Sequence, residues 1–369
     1  MIRVRGVARA AGVAAVLVLG LHCSAVLAEV RYTVTDLGTF GGNGRAWSIN
    51  DEGVIVGQSY KAGIMRPFRW TSSTGMVELP TVPGTDGRAW CINNRGESVG
   101  EAFYYYSPCP YYALMWNAAG GMTDLGYLAG TNSSEAHGIN DSGWTVGASF
   151  TIGTSGRKAF RNDGVAMSDL GSLGGTDSEA YAINNSGEIV GVSGTTGNAA
   201  FHAFLWNGST GMQDLGTIGG ESNGRAINEH GHVAGYSDPT ADTRHAFLWT
   251  PQEGMQDLGT LSGRTHTEAY GINDGDEVVG TSYSIGGGTV HAFLWDAKNG
   301  MQDLNNLVDP SCGWTLFAAN DINNTGCIVG FGLQAGSNYH HPVLLTPIPE
   351  PATLALLALG GLVALRRRR

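Results

Sequence analysis

The chain has 369 residues, 57 of them glycine, with 14% charged residues and a net charge of −11. One glycine in about six residues is half of what a collagen needs, and a 42% hydrophobic content excludes a disordered polymer. So few charges disfavour long solvated helices, which leaves an all-β protein with many tight turns.

Residues 1–28 read as a secretory signal peptide. Arg3, Arg5 and Arg9 form a basic start, residues 10–21 an apolar stretch, and Val26-Leu27-Ala28 a small-residue cleavage site between Ala28 and Glu29. Signal peptidase is the partner this segment implies.

From residue 29 to 346 the chain repeats itself. An Ile-Asn pair marks the period at Asn50, Asn93, Asn140, Asn184, Asn228, Asn273 and Asn323. An Asp-Leu mark recurs at Asp36, Asp124, Asp169, Asp214, Asp257 and Asp303, with Glu78 in the second copy. Each period reads as four short strands: one ending at Ile-Asn, one like VIVGQS, one like HAFLW and one like GMQDLG. Turns such as NDEG and NNSG follow the Ile-Asn pair, where asparagine caps the backbone and glycine accepts positive φ. Four short strands per period of 40–50 residues predict a seven-bladed β-propeller of four-stranded blades. The mature chain begins with a lone fourth strand (31–38) and ends on a third (340–345). The N-terminal strand is therefore expected to complete the last blade, leaving no open edge.

In the first strand of each period a large residue stands two before the isoleucine, between small ones: Trp47, Trp90, His137, Tyr181, Arg225, Tyr270 and Asn320. Alternation along a strand predicts that this bulky face fills the gap against the small face of the next blade.

The tripeptide His-Ala-Phe at 202–204, 245–247 and 291–293 resembles the extracellular HAF-repeat family. Variants stand at Arg66-Pro67-Phe68, Tyr112-Ala113-Leu114, Lys158-Ala159-Phe160 and His341-Pro342-Val343. The resemblance spans residues 31–346 and implies export and a repeat scaffold, with no catalytic residue to carry over. The repeated histidines read as strand-edge groups bonded to turns, and the Asp-Leu aspartates as ties within each blade.

Four cysteines remain after the leader is removed. In an exported protein an even number reads as disulfides. Three pairings are open; the local one joins Cys91 to Cys109 and Cys312 to Cys327.

Chemistry that happens once should break the repeat. No nucleophile elbow, zinc-protease helix or phosphate loop occurs, so no catalytic residue, resident metal or cofactor is expected. Asn273–Glu277 alone is acidic enough for calcium. Two breaks suit ligand contact. Tyr104, Tyr105, Tyr106, Tyr111 and Tyr112 cluster around Pro108-Cys109-Pro110, where tyrosines can stack sugar rings or meet a protein. Five before the marking asparagine stand Arg45, Arg88, Glu135, Glu179, Asn223, Glu268 and Ala318, expected to ring the channel mouth and to pair among themselves. A non-enzymatic binding scaffold for polysaccharide or protein is the reading these features favour; a secreted propeller hydrolase or lyase is the alternative.

Residues 347–369 change character. Pro349-Glu350-Pro351 precedes a 14-residue apolar run (352–365) and Arg366, Arg367, Arg368 and Arg369. The run makes roughly 21 Å of transmembrane helix, short for a bilayer core of about 30 Å, and the arginines hold its far end in the cytoplasm. Triplet, helix and basic end closely resemble the PEP-CTERM sorting signal. The resemblance implies an exosortase as partner, export across the inner membrane of a Gram-negative bacterium, and membrane contact only through this tail. Without leader and tail, 21 basic residues fall to 14 and 32 acidic ones to 31, so −11 becomes −17. That surface repels nucleic acid and suits neutral sugars or cations.

The tail is expected to be dispensable for folding. Replacing Pro349-Glu350-Pro351 by three alanines should leave a folded, membrane-retained precursor in an exosortase-competent host, read as uncleaved intact mass after fractionation. Normal trimming of that variant would contradict the sorting role.

Overall fold

The computed structural model describes residues 31–105, 110–154 and 156–349. Both ends of the sequence, with the signal cleavage site, Glu350, Pro351, the expected transmembrane helix and Arg366–Arg369, lie outside the described residues, as do Tyr106 and Cys109. Among the described residues no helix is long and apolar enough to cross a membrane.

The described chain is all-β. Five sheets have four antiparallel strands. A sixth has eight, made of two four-stranded units joined by one parallel bridge, Arg244 to His266. In most sheets four consecutive strands follow one another, as in Gly44–Ile49, Ile55–Lys61, Ile64–Thr71 and Gly75–Glu78. One sheet is assembled from both ends of the chain. Tyr32–Asp36 pairs with His341–Pro347, beside Ile328–Gln334 and Trp314–Ile322.

Apolar packing lies between sheets rather than in one central mass. Val54, Val56 and Leu79 of one unit meet Ala89, Ile92, Leu114 and Trp116 of the next. Val329 of the end-joining sheet packs with Ala46, Ile49 and Phe68 of the first. The third-strand motif has a physical meaning at each letter. Its phenylalanine (Phe68, Phe160, Phe204, Phe247, Phe293) is fully buried, worth about 2–3 kcal/mol each in apolar transfer. Its alanine (Ala113, Ala159, Ala203, Ala246, Ala292) is buried as well, and proline takes the place at Pro67 and Pro342. Its histidine reaches the Asp-Leu aspartate on the neighbouring strand: His202 to Asp214, His245 to Asp257, His291 to Asp303 and His341 to Asp36. Lys158–Asp169 and Arg66–Glu78 are the same pair in other residues. The aspartates also accept from the backbone two residues on, as Asp214 does from Gly216. The histidines thus bond to the aspartates through Nδ1, and His341 and His291 also reach Ser337 and Thr289 in the preceding loops through Nε2.

At the inner end of the sheets the marking asparagines do two jobs. Each Oδ1 accepts from the backbone N–H four residues on, closing its own turn (Val54 onto Asn50, Glu188 onto Asn184). Each Nδ2 donates to the main-chain carbonyl of the next marking asparagine: Asn50 to Asn93, and so on through Asn140, Asn184, Asn228, Asn273 and Asn323. Asn323 donates back to the Asn50 carbonyl at 2.9 Å. The following residues make a second circuit, backbone N–H to side-chain oxygen, through Asp51, Asn94, Asp141, Asn185, Glu229, Asp274 and Asn324. Glycine closes these turns at positive φ except at Asp276, which adopts φ 58 and bonds to His232 and Asn228. Within the Asn273–Glu277 segment, the Glu277 carboxylate accepts from the Asn273 amide.

Two expectations are overturned. Cys312 and Cys327 are free thiols. They flank opposite ends of the nine-residue strand Trp314–Ile322, whose partner Ile328 faces Ile322 and whose Gln334 faces Trp314. At ~3.3 Å per residue this separates them by roughly 25 Å or more, where a disulfide needs Cα atoms within about 7 Å. Cys91 is likewise free and packs into an inter-sheet cluster. The bulky first-strand residues do not fill the gaps between sheets; they face a cavity described below.

Asn184→Ala should cost about 2 kcal/mol, because it orphans the Glu188 N–H at about 1–3 kcal/mol, while the Asn228 carbonyl keeps its bond from the Gly231 N–H. The measurement is the midpoint of urea unfolding by circular dichroism; a change under about 0.5 kcal/mol would deny the circuit a stabilising role.

Candidate functional site

Each first strand carries a register shift that sets one residue out of the ladder. The shifts fall between Ala46 and Ser48, Ala89 and Cys91, Ala136 and Gly138, Ala180 and Ala182, Gly224 and Ala226, Ala269 and Gly271, and Ala319 and Asp321. The residue left between is the large one. A β-bulge re-aims a side chain, and here all seven line one cavity of about 510 Å³. The second strand accommodates the bulge with glycine. A Cβ on Gly57, Gly100 or Gly147 would stand 2.1, 2.0 and 1.9 Å from the carbonyl oxygens of Arg45, Arg88 and Glu135.

The cavity wall is aromatic over much of its arc. Trp47 and Trp90 lie 4.7 Å apart, His137 meets Trp90 at 6.1 Å and Tyr181 at 5.5 Å. The Arg225 guanidinium stacks 4.2 Å over Tyr181. Sequence reasoning assigned these residues to packing because strict alternation allows no third direction. The signal that could have found them is the glycine fixed in every second strand, opposite the bulge.

The expected rim charges are brought close to this cavity, but their partners are other residues, Glu101, Arg157 and Arg244 among them, rather than one another. Arg88 meets Glu101 at 3.0 Å and lies over Phe103. Arg45 stacks on Phe331 at 4.4 Å. Glu268 accepts from Arg244, Tyr270 and Tyr283. Burial opposes its charge, but the Tyr270 and Arg244 bonds hold its carboxyl below the usual range. Glu135 and Glu179 share Arg157, and His137 stands between them. Burial works against an imidazolium at His137, yet the two flanking carboxylates raise it above its ordinary value. Glu101 is pushed up to about 7, first by burial and then by the Glu135 charge.

The tyrosine cluster divides. Tyr105 is 76% exposed and Tyr104 36%. Tyr111 stacks on Phe103 at 5.2 Å and meets Phe150 edge-on, while Tyr112 packs against the Leu114 and Trp116 core. Only Tyr104 and Tyr105 present large open faces among the described members.

Asp321 also breaks the repeat, an acid where the other units carry a small residue. It lines the cavity and accepts from the Ser48 hydroxyl and the Ile49 N–H. Asn320 beside it donates to the Ala46 carbonyl at 2.7 Å. These bonds tie the end-joining sheet to the first full one.

The PEP-CTERM protein-sorting motif matches residues 347–369. That motif implies processing by exosortase and export to the Gram-negative cell envelope. No curated protein matches the chain. Among solved structures the chain is similar to a streptogramin B lyase, with TM-score 0.55, 11% identity, and coverage of 87% of this chain and 99% of that one. It is similar to virginiamycin B lyase from Staphylococcus aureus, with TM-score 0.54, 10% identity, and coverage of 86% and 100%. It is also similar to the β-propeller domain of the Trilobed protease from Pyrococcus furiosus, with TM-score 0.53, 10% identity, and coverage of 85% and 93%. At these identities the likeness is one of fold, and the fold is a β-propeller.

Burial pushes the Asp321 carboxyl up from 3.8 to about 6, against the pull of the Ile49 and Ser48 bonds. A raised folded-state value stabilises the protonated fold, so this contribution is full below about pH 4 and is lost as pH rises through 6. The melting temperature should therefore gain on acidification from pH 7 to 5, and Asp321→Asn should flatten that gain in a pH series of thermal melts.

Proposed function

We propose that the chain is an exported HAF-repeat protein whose residues 29–346 form a seven-bladed β-propeller of four-stranded blades. In this reading Tyr32–Asp36 completes the last blade and closes the ring. The asparagine circuit that returns from Asn323 to Asn50 supports it, as does the His341–Asp36 pair, which supplies the end-joining sheet with the contact its repeats make internally. Signal peptidase removes the leader, exosortase acts at the tail, and the domain serves at the cell surface or in the matrix.

There it acts as a non-enzymatic scaffold that binds exopolysaccharide. The observation that carries this is the aromatic, bulge-lined cavity. Trp47, Trp90 and Tyr181 offer faces for sugar rings, and Arg225, Asn320 and Glu179 offer polar groups among them. Sugar binding sites combine apolar faces with a few placed polar groups in this way. The net charge favours a neutral glycan over an acidic one.

A second reading, a polysaccharide-cleaving enzyme, is favoured by one observation: Glu135 and Glu179 converge at His137. A glycan array with the purified protein tests the first, and product analysis on each bound glycan tests the second. Trp90→Ala or Tyr181→Ala should weaken binding about fivefold, the worth of one stacked ring at about 1 kcal/mol. Wild-type affinity in both variants would remove the cavity from the reading, and chain shortening of a bound glycan would replace scaffold by enzyme.

A further inference from the structure

The bulged position holds an imidazole once in seven copies, at His137. The two rim residues that flank it come from neighbouring units, Glu135 from its own strand and Glu179 from the next. The three donor groups lie within 4.8 Å of one another. His137 Nε2 stands 3.5 Å from Glu135 Oε2 and 3.3 Å from Glu179 Oε1. These are long for N–H···O bonds, which cluster at about 2.7–3.2 Å. Nε2 is sealed from solvent and has no aligned hydrogen-bond partner. A buried polar atom left so normally has a missing partner.

The distances fit a different occupant. Ligands about 2.1 Å from a four-coordinate ion stand ~3.4 Å from one another along the tetrahedron's edges. Both His137 contacts match that edge. Arg157 Nε stands 2.9 Å from the other Glu179 oxygen, Oε2, and its Nη2 contacts the two His137-facing oxygens, Glu135 Oε2 and Glu179 Oε1, so an ion here would share those oxygens with the guanidinium. These contacts fix the two carboxylates on either side of the imidazole. With the imidazole neutral, two carboxylates and one guanidinium leave one net negative charge for a cation to meet. A mixed imidazole and carboxylate set suits a first-row transition ion, whereas calcium takes six to eight oxygens.

We propose that Glu135, His137 and Glu179 bind one divalent first-row transition ion, zinc being the probe, at the wall of the aromatic cavity. His137 supplies Nε2, each glutamate one oxygen, and Arg157 positions the carboxylates. His137 and Glu179 line the cavity, so a coordination position is left there for water or a ligand. The proposal does not rest on the glycan reading, although Glu179 lines the same cavity.

The test uses the full-length chain in detergent, stripped with a chelator and titrated with zinc against a chromophoric competitor, with no saccharide present. One zinc per chain is expected by mass spectrometry of the gel-filtered protein. His137→Ala and Glu179→Gln should each lower the affinity a hundredfold or more while circular dichroism stays native. Arg157→Gln should not abolish binding. X-ray absorption on the wild type gives a reading that needs no variant: one imidazole with oxygen ligands at about 2.0–2.1 Å and no sulfur. No bound zinc, wild-type affinity in both ligand variants, or a sulfur shell would each overturn the site. Loss of the metal with glycan binding intact would leave the scaffold reading standing, and the reverse result would leave the metal site standing.

Discussion

An asparagine amide that donates outward and accepts inward is the constraint on which this molecule depends. At Asn184 the carbonyl side closes the turn through Glu188 while the amide side reaches the Asn228 carbonyl. Aspartate could do only the first and lysine only the second, and glutamine would overshoot both. Asn184 is buried at 2% exposure, so an amide or backbone N–H left without its acceptor there would carry the cost of desolvation. Neighbouring sheets are thus fixed to each other at their inner ends by backbone as well as side chain. Inter-sheet packing of phenylalanine, valine and leucine acts on top of that frame.

Fixing the inner ends leaves the first strands little freedom, and the bulge follows from it. The isoleucine before the marking asparagine and the residues beyond the bulge pair with the same second strand, in registers one residue apart. One extra residue per strand absorbs the difference, and it is turned into the cavity. The same small irregularity that accommodates the frame therefore furnishes the cavity with Trp47, Trp90, His137 and Tyr181. Structural residues repeat seven times, whereas the expelled position varies from unit to unit. That variation is where specificity can be written without disturbing the frame.

Much of this was legible in the sequence. The period, the four strands of each unit, the lone N-terminal strand and the Asp-Leu ties all follow from residues whose role is local and repeated. The tail was legible because its three parts stand in a fixed order. The cavity was not. Alternation assigns a side chain to one of two faces, and a bulge adds a third direction that hydrophobicity does not mark. The Cys312–Cys327 pairing failed for a related reason. Spacing along the chain gives loop length, but a hairpin with a nine-residue arm places the two thiols at opposite ends of it. The Glu135–His137–Glu179 grouping escaped notice because two members lay in one list, rim charges, and the third in another, packing residues.

The strand His341–Pro347 leads directly into the tail, and it has hydrogen-bonded neighbours on both sides, Tyr32–Asp36 and Ile328–Gln334. Ile348 just beyond it still donates to the Arg31 carbonyl. Tension applied through the C-terminus along this strand is therefore borne by two ladders in shear, with bonds on both flanks loaded together. An edge strand in the same place would peel one bond at a time. By borrowing its outermost strand from the other end of the chain, the domain acquires a mechanical grip at the point where an envelope tether would pull.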